Sequence, residues 1–263
     1  MSADDKPSRP DVTGDTRVTG DSRVAEPATP GRTPSLGQSS AADVANFLKR
    51  VQDLAPVEPT GRGRLVFAMD ATMSRRPAWD MALALQAQMF ETVKSIGGLD
   101  VQLVYFRGTE ECRASKWVAD PVALARLMTT VECRGGFTQI AKVLSHARQE
   151  TERRKIAALV YIGDSMEEGP DEICGRAGEL ALHGVPVFVF QEGLDTTAEQ
   201  TFREIARLTK GAYCRFDQGS ADQLRDLLAA VAAYAAGGRN ALLKLGSATR
   251  SRGAELLLEQ LQR

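Results

Sequence analysis

The segment 64–74, RLVFAMDATMS, runs apolar and small residues straight into Asp70, then sets Thr72 and Ser74 at alternate positions. One carboxylate and two hydroxyls from a single loop make a hard donor set. It suits a divalent cation such as Mg2+, which prefers oxygen ligands in an octahedron with bonds of about 2.0–2.1 Å. Two further segments carry oxygens in a similar setting. KIAALVYIGDS delivers Asp164 at the end of an apolar run, and CRGGFTQIAKVL delivers Thr138 after a Gly-Gly pair and ahead of a helical pattern. Each of these has a second reading, because Asp, Ser and Thr also cap helices. Thr138 can cap the helix behind it, and Asp164 the helix that opens at Gly169-Pro170. Capping uses only one of the three oxygens in 70–74, which leaves two to explain. The candidate metal ligands are therefore Asp70, Thr72, Ser74, Thr138 and Asp164. Arg75 and Arg76 follow at once and read as a solvent-facing, charged helix start; turned inward, they would weaken cation affinity and favour an acidic ligand. Glu167 and Glu168 read as solvated loop residues.

The elements needed to position these residues are visible in the hydropathy pattern. Short apolar runs at 65–69, 101–106, 156–162, 185–190 and 212–216 have the Val, Ile, Leu, Tyr and Phe content of buried strands. Helical periods fill 77–96, 121–131, 138–152, 170–183, 197–209 and 220–235 between and after them. The 111–120 stretch reads as a short edge strand beside 101–106. Alternating strands and helices predict an α/β fold: an open, doubly wound, mainly parallel sheet with helices on both faces and one short antiparallel edge strand. In such sheets, ligands bind at the carboxyl ends of the strands, where the strand order reverses. Asp70 and Asp164 end runs of the required kind.

Four segments follow from composition. Residues 1–38 are rich in Pro, Ser, Thr, Asp and Gly, lack aromatics and read as a disordered tail holding a six-residue duplication, VTGDTR and VTGDSR. Residues 39–60 read as a short amphipathic helix, with Val44, Phe47, Leu48, Val51 and Leu54 on one face and Ser40 and Asp43 resembling a capping box, followed by a linker. Residues 61–236 hold the main domain, and 237–263 a tail with a short leucine-rich helix. Of the 263 residues, 43% are hydrophobic and 25% charged, with a net charge of −1, so neither nucleic-acid nor membrane binding has a charge signature. No apolar leader opens the chain. Cys112, Cys133, Cys174 and Cys214 form no CxxC pair and fit reduced thiols in a cytoplasmic protein, with a Cys112–Cys133 bridge the lesser alternative. His146 and His183 are too few for a His-rich zinc site.

The DATMS segment, the threonine of GGFTQ and the aspartate of YIGDS together resemble the von Willebrand factor type A (VWA) domain family, over about residues 64–236. In that family, a D-x-S-x-S motif with a distant Thr and Asp forms a metal-ion-dependent adhesion site (MIDAS). The resemblance implies a Rossmann-like VWA fold, with Asp70, Thr72, Ser74, Thr138 and Asp164 holding Mg2+, Mn2+ or Ca2+. Thr72 stands where the family usually has Ser, and Ser165 where a Gly often follows the Asp. The implied chemistry is recognition: a vacant metal position accepts a carboxylate from a partner protein. A shift of the last helix, 220–235, on ligand binding is also implied. Intracellular bacterial relatives act as adapters, which implies an AAA+ ATPase or chaperone as partner and a cytoplasmic location. Two alternatives stay open, a Mg-dependent hydrolase or phosphatase built on the same strand-end site and a metal-free scaffold. Against the phosphatase stands Thr72, where such enzymes usually carry a second aspartate.

Overall fold

The run that carries Asp70 lies at the middle of a six-stranded sheet. The computed structural model describes residues 41–52, 61–94, 96–217, 219 and 221–248. The expected tail 1–38, Ser40 of the capping box, the linker 53–60 and the leucine-rich end of the C-terminal tail lie outside these residues. In chain order the elements are α1 (Ala41–Gln52), β1 (Gly63–Asp70), a 3-10 turn (Met73–Arg75), α2 (Arg76–Val93), β2 (Leu99–Arg107), β3 (Glu111–Ala114), α3 (Pro121–Thr129), α4 (Ile140–Arg153), β4 (Ala158–Gly163), α5 (Pro170–Leu182), β5 (Val187–Glu192), α6 (Thr196–Leu208), β6 (Ala212–Phe216) and α7 (Ala221–Ala248).

The strand order is β3-β2-β1-β4-β5-β6. Every neighbouring pair is parallel except β2 with β3. The order reverses between β1 and β4, so the crevice that such sheets offer to ligands opens above these two strands. Asp70 is the last residue of β1, and Asp164 directly follows β4.

Side-chain alternation along β1 divides the core in two. Leu65, Phe67 and Met69 face a cluster with Trp79, Met89 and Phe90 of α2 and Leu224, Leu228 and Val231 of α7. Val66 and Ala68 face the other, with Val143 and Leu144 of α4, Ile173 and Leu180 of α5 and Phe202 of α6. All eight residues of β1 are buried, as a central parallel strand requires. Phe47 of α1 joins the first cluster; its ring lies 5.8 Å from that of Phe188 and 5.7 Å from that of Phe190. Helix starts follow local chemistry. Asp120 accepts from Ala123 N–H at 2.9 Å and Asp195 from Ala198 N–H at 2.8 Å, while Pro121 and Pro170 occupy first-turn positions where no donor is lost.

Helix α7 extends past the expected end at 235 and bends at Gly237 and Gly238, where Gly238 has φ of 63°. No helix among the described residues is long and apolar enough to cross a membrane. None of the four cysteines is in a disulfide.

Candidate metal centre

Asp70 is 1% exposed. Its Oδ1 accepts from Thr72 N–H at 2.6 Å, the tight turn that follows an Asp at a strand end. Its Oδ2 is buried and has no hydrogen-bond partner among the described residues. Leaving a buried carboxylate oxygen without a partner costs more than an ordinary hydrogen bond returns. The turn continues with the hydroxyls of Thr72 and Ser74 3.4 Å apart, and Ser74 Oγ donates to Asp164 Oδ2 at 3.0 Å. Asp164 Oδ1 accepts from Ser165 Oγ at 3.2 Å. Asp70, Thr72, Ser74 and Asp164 thus form one contiguous group of oxygens over the β1–β4 crevice.

Thr138 is placed differently. The loop before α4 crosses the end of β1, where Arg134 N–H donates to Ala71 O at 3.0 Å. Gly136 lets it pass, because a Cβ there would lie 2.1 Å from Gly108 O. Phe137 N–H then donates to Gly108 O at 3.0 Å. Thr138 is buried at this edge, but its Oγ accepts from Glu167 N–H at 3.0 Å while its own N–H donates to Glu167 Oε2 at 2.8 Å. One hydroxyl lone pair and the hydroxyl proton remain for other use. Thr138 is therefore tied to the loop that follows Asp164 and shares no hydrogen bond with the other four among the described residues. Thr138 is not the cap of α4.

Glu167 is an exposed loop residue, as expected, and Glu168 is half-buried, but both carboxylates are engaged by backbone N–H groups. Glu168 accepts from Ile140 N–H at 2.6 Å and from Ala141 N–H at 2.9 Å, and Glu167 from Thr138 N–H. Carboxylates from the β4–α5 loop thus satisfy the orphan donors at the start of α4 and meet the positive end of its dipole. Arg75 also departs from expectation. It is 2% exposed, and its guanidinium lies 3.5 Å from Asp164 Oδ2 and ion-pairs with Glu192 at the end of β5. Two opposite charges draw it inward against the preference of a helix N-terminus for anions. Gln191 Nε2 donates to Asp164 O at 3.2 Å and to Asp195 O at 2.9 Å, and Gln191 Oε1 accepts from Tyr213 O–H at 2.7 Å, holding the two neighbouring loops together. Glu192 had a sequence signal of the same kind as Asp70, an acid ending an apolar run. The role of Gln191 had none.

Burial pushes the Asp70 carboxyl up to about 6, and the charge of Asp164 adds to this. The N–H and hydroxyl of Thr72 and the charge of Arg75 oppose the rise without cancelling it. Beneath the site, Tyr161 stacks on Phe106, and its buried hydroxyl lacks a partner among the described residues. Burial and the charge of Asp70 hold that phenol neutral, well above its ordinary range. Two large apolar residues next in sequence to candidate ligands reach solvent, Met73 at 62% and Phe137 at 58% exposure.

The donor set fits a small hard cation. It consists of carboxylate and hydroxyl oxygens, with one buried carboxylate oxygen unspoken for. Among the described residues no three of His, Cys, Asp and Glu gather as a metal cluster, so a soft-ligand site is not formed there.

No protein-family model and no curated protein matches the chain. Solved structures do match. A von Willebrand factor type A protein from Catenulispora acidiphila aligns with a TM-score of 0.56 at 18% identity, covering 66% of this chain and 43% of its own. This chain thus spans less than half of that protein. Proximal thread matrix protein 1 of the mussel byssus, solved with a zinc-occupied MIDAS motif, aligns with a TM-score of 0.55 at 14% identity, covering 68% of this chain and 48% of its own. The VWA domain of SpRpn10 aligns with a TM-score of 0.51 at 9% identity, covering 62% of this chain and 94% of its own. With its β3-β2-β1-β4-β5-β6 order and the helices on both faces, the chain has the von Willebrand factor type A fold.

Proposed function

We propose that the chain is a metal-ion-dependent protein-binding module in which Asp70, Thr72, Ser74, Asp164 and Thr138 hold a divalent cation that recruits a carboxylate from a partner protein. The observation that carries this reading is Asp70 Oδ2, buried and without a partner, beside three linked oxygens at the sheet's switch point. A cation would supply that partner. The neighbour with zinc in its MIDAS supports a metal at this place in the fold. The all-oxygen donors here favour Mg2+ or Mn2+ over zinc. Bound there, the ion would act as a Lewis acid toward an incoming carboxylate.

The chain's own residues set the rest. The Thr72 and Ser74 hydroxyls are neutral donors, so only two carboxylates offset the ion's charge directly, and the ion keeps attraction for a third anion. The partner is an acidic residue of another protein, an AAA+ ATPase or chaperone in the cytoplasm by the family resemblance, and the chemistry is binding without turnover.

Titration calorimetry with Mg2+ and Mn2+ tests the site. Wild type should give a saturable heat that Asp70→Ala abolishes. Equal heats from the two proteins would reject it.

A further inference from the structure

We propose that Arg75 is a built-in counter-cation that competes with the divalent ion for Asp164 and so sets how readily the site loads; this rests on the metal-binding reading above. The site region holds three carboxylates, Asp70, Asp164 and Glu192, and one guanidinium. Arg75 stands at the N-terminus of α2, whose first turn carries no acidic residue. A positive charge is disfavoured there by the helix dipole, and one whose side chain is 3% exposed has also lost its water. Local preference and burial both oppose this placement. Conflicts of that kind between a residue and its position concentrate at functional sites. The force that holds Arg75 in place is its attraction to Asp164 and Glu192.

The consequence is specific to Asp164. Its Oδ2 already accepts from Ser74 Oγ at 3.0 Å and faces Arg75 Nη1 at 3.5 Å. An arriving cation therefore meets a carboxylate whose charge is partly answered, and it meets the repulsion of a guanidinium screened by little water. Asp70 has no such rival at Oδ2, so it is the open ligand and Asp164 the contested one. Glu192 decides how tightly Arg75 grips. With Glu192 present, the guanidinium is shared between two acids; without it, Arg75 belongs to Asp164 alone. Arg75 is too buried to reach a partner protein, so it acts on the ion and not on the bound acid.

Two substitutions push in opposite directions and read out by Mg2+ calorimetry and by the melting temperature in chelator. Arg75→Gln removes the competing charge, and Mg2+ should bind about tenfold tighter or more. The same variant should melt several degrees lower in chelator, because three buried or half-buried carboxylates lose their counter-ion, and should recover more than wild type when Mg2+ is added. Glu192→Gln keeps Arg75 and should weaken Mg2+ binding by about tenfold. If Arg75→Gln does not fold, Glu192→Gln alone decides: unchanged or tighter binding overturns the proposal. Unchanged or weaker Mg2+ binding by a folded Arg75→Gln overturns it as well, while the metal-binding reading stands. Absence of Mg2+ heat in wild type and both variants overturns the metal-binding reading itself. Heat in Arg75→Gln but none in wild type supports the competition and overturns the reading that the wild-type site loads Mg2+.

Discussion

The carboxyl of Asp70 sits where burial works against its charge, and the metal-free protein bears the cost. Its proton affinity rises from an ordinary value of 3.8 to about 6. The folded state thus holds this proton over a pH range in which the unfolded chain has released it. Metal-free stability should therefore fall as pH rises from about 4 to about 6, by about 3 kcal/mol in total from this group. Asp70→Asn keeps the shape and removes the charge. It should raise the melting temperature in chelator at pH 7, flatten the pH dependence between 4 and 6, and bind no Mg2+. A melt in EDTA that drops on Asp70→Asn substitution would contradict the burial argument. In Mg2+ the trend reverses. On the proposed metal-binding reading the proton and the ion compete for one carboxylate, so Mg2+ affinity should weaken by about tenfold for each pH unit below about 6. Calorimetry at pH 5, 6 and 7 reads this directly.

At the scale of elements, the start of α4 depends on residues far from it in the chain. Glu168 is the acceptor for two of its first N–H groups, and no side chain of α4's own cap position serves. Glu168→Ala should lower stability by about 1–2 kcal/mol, measured by urea denaturation, and should loosen the loop that carries Thr138. The elements themselves were largely legible. The expected run 65–69 is contained in Gly63–Asp70, 212–216 coincides with Ala212–Phe216, and the helix expected over 170–183 is Pro170–Leu182. Local chemistry decides these: alternating or continuous apolar runs, a proline at a first turn, a glycine after a last one. The pattern places the start of α4 at Thr138, two residues before its actual start at Ile140, because Thr138 and Ile140 look like a cap and its helix, whereas the cap arrives from the β4–α5 loop. The inward turn of Arg75 has the same origin: its ion-pair partners, Asp164 and Glu192, are far from it in sequence, and only the fold brings them to it. Of the five candidate ligands, the three in 70–74 form one local turn, and Asp164 follows a run whose strand character is plain. Only Thr138 depends on a loop crossing that residue pattern cannot place.

For the molecule as a whole, the parallel order β2-β1-β4-β5 brings loops from four strands to one rim, which allows side chains as distant in sequence as Arg75, Asp164 and Glu192 to pair. The same order leaves β6 and β3 at the margins. Helix α1 packs against β6 and α7, with Phe47 wedged against Phe188, Phe190 and the ring cluster that continues to Tyr234. Phe47→Ala should cost about 3 kcal/mol in urea denaturation, or less if α1 simply lifts away, and should leave Mg2+ affinity within about twofold, because α1 packs on α7 and β6 and not on the elements that carry the candidate ligands. A large change in Mg2+ affinity would show that α1 reports to the strand ends after all.

The placement of Phe47 also orders events at the ribosome. Helix α1 emerges first, yet β6 and α7, against which it packs, are among the last described elements to be translated. During synthesis its aromatic side chain has no home, and burial of that side chain must wait until the opposite end of the domain has been made. Docking of this helix is therefore a late event in biogenesis, and a nascent chain stalled before residue 187 would display Phe47 to the cell's chaperones although its β1–β4 strands have all been made.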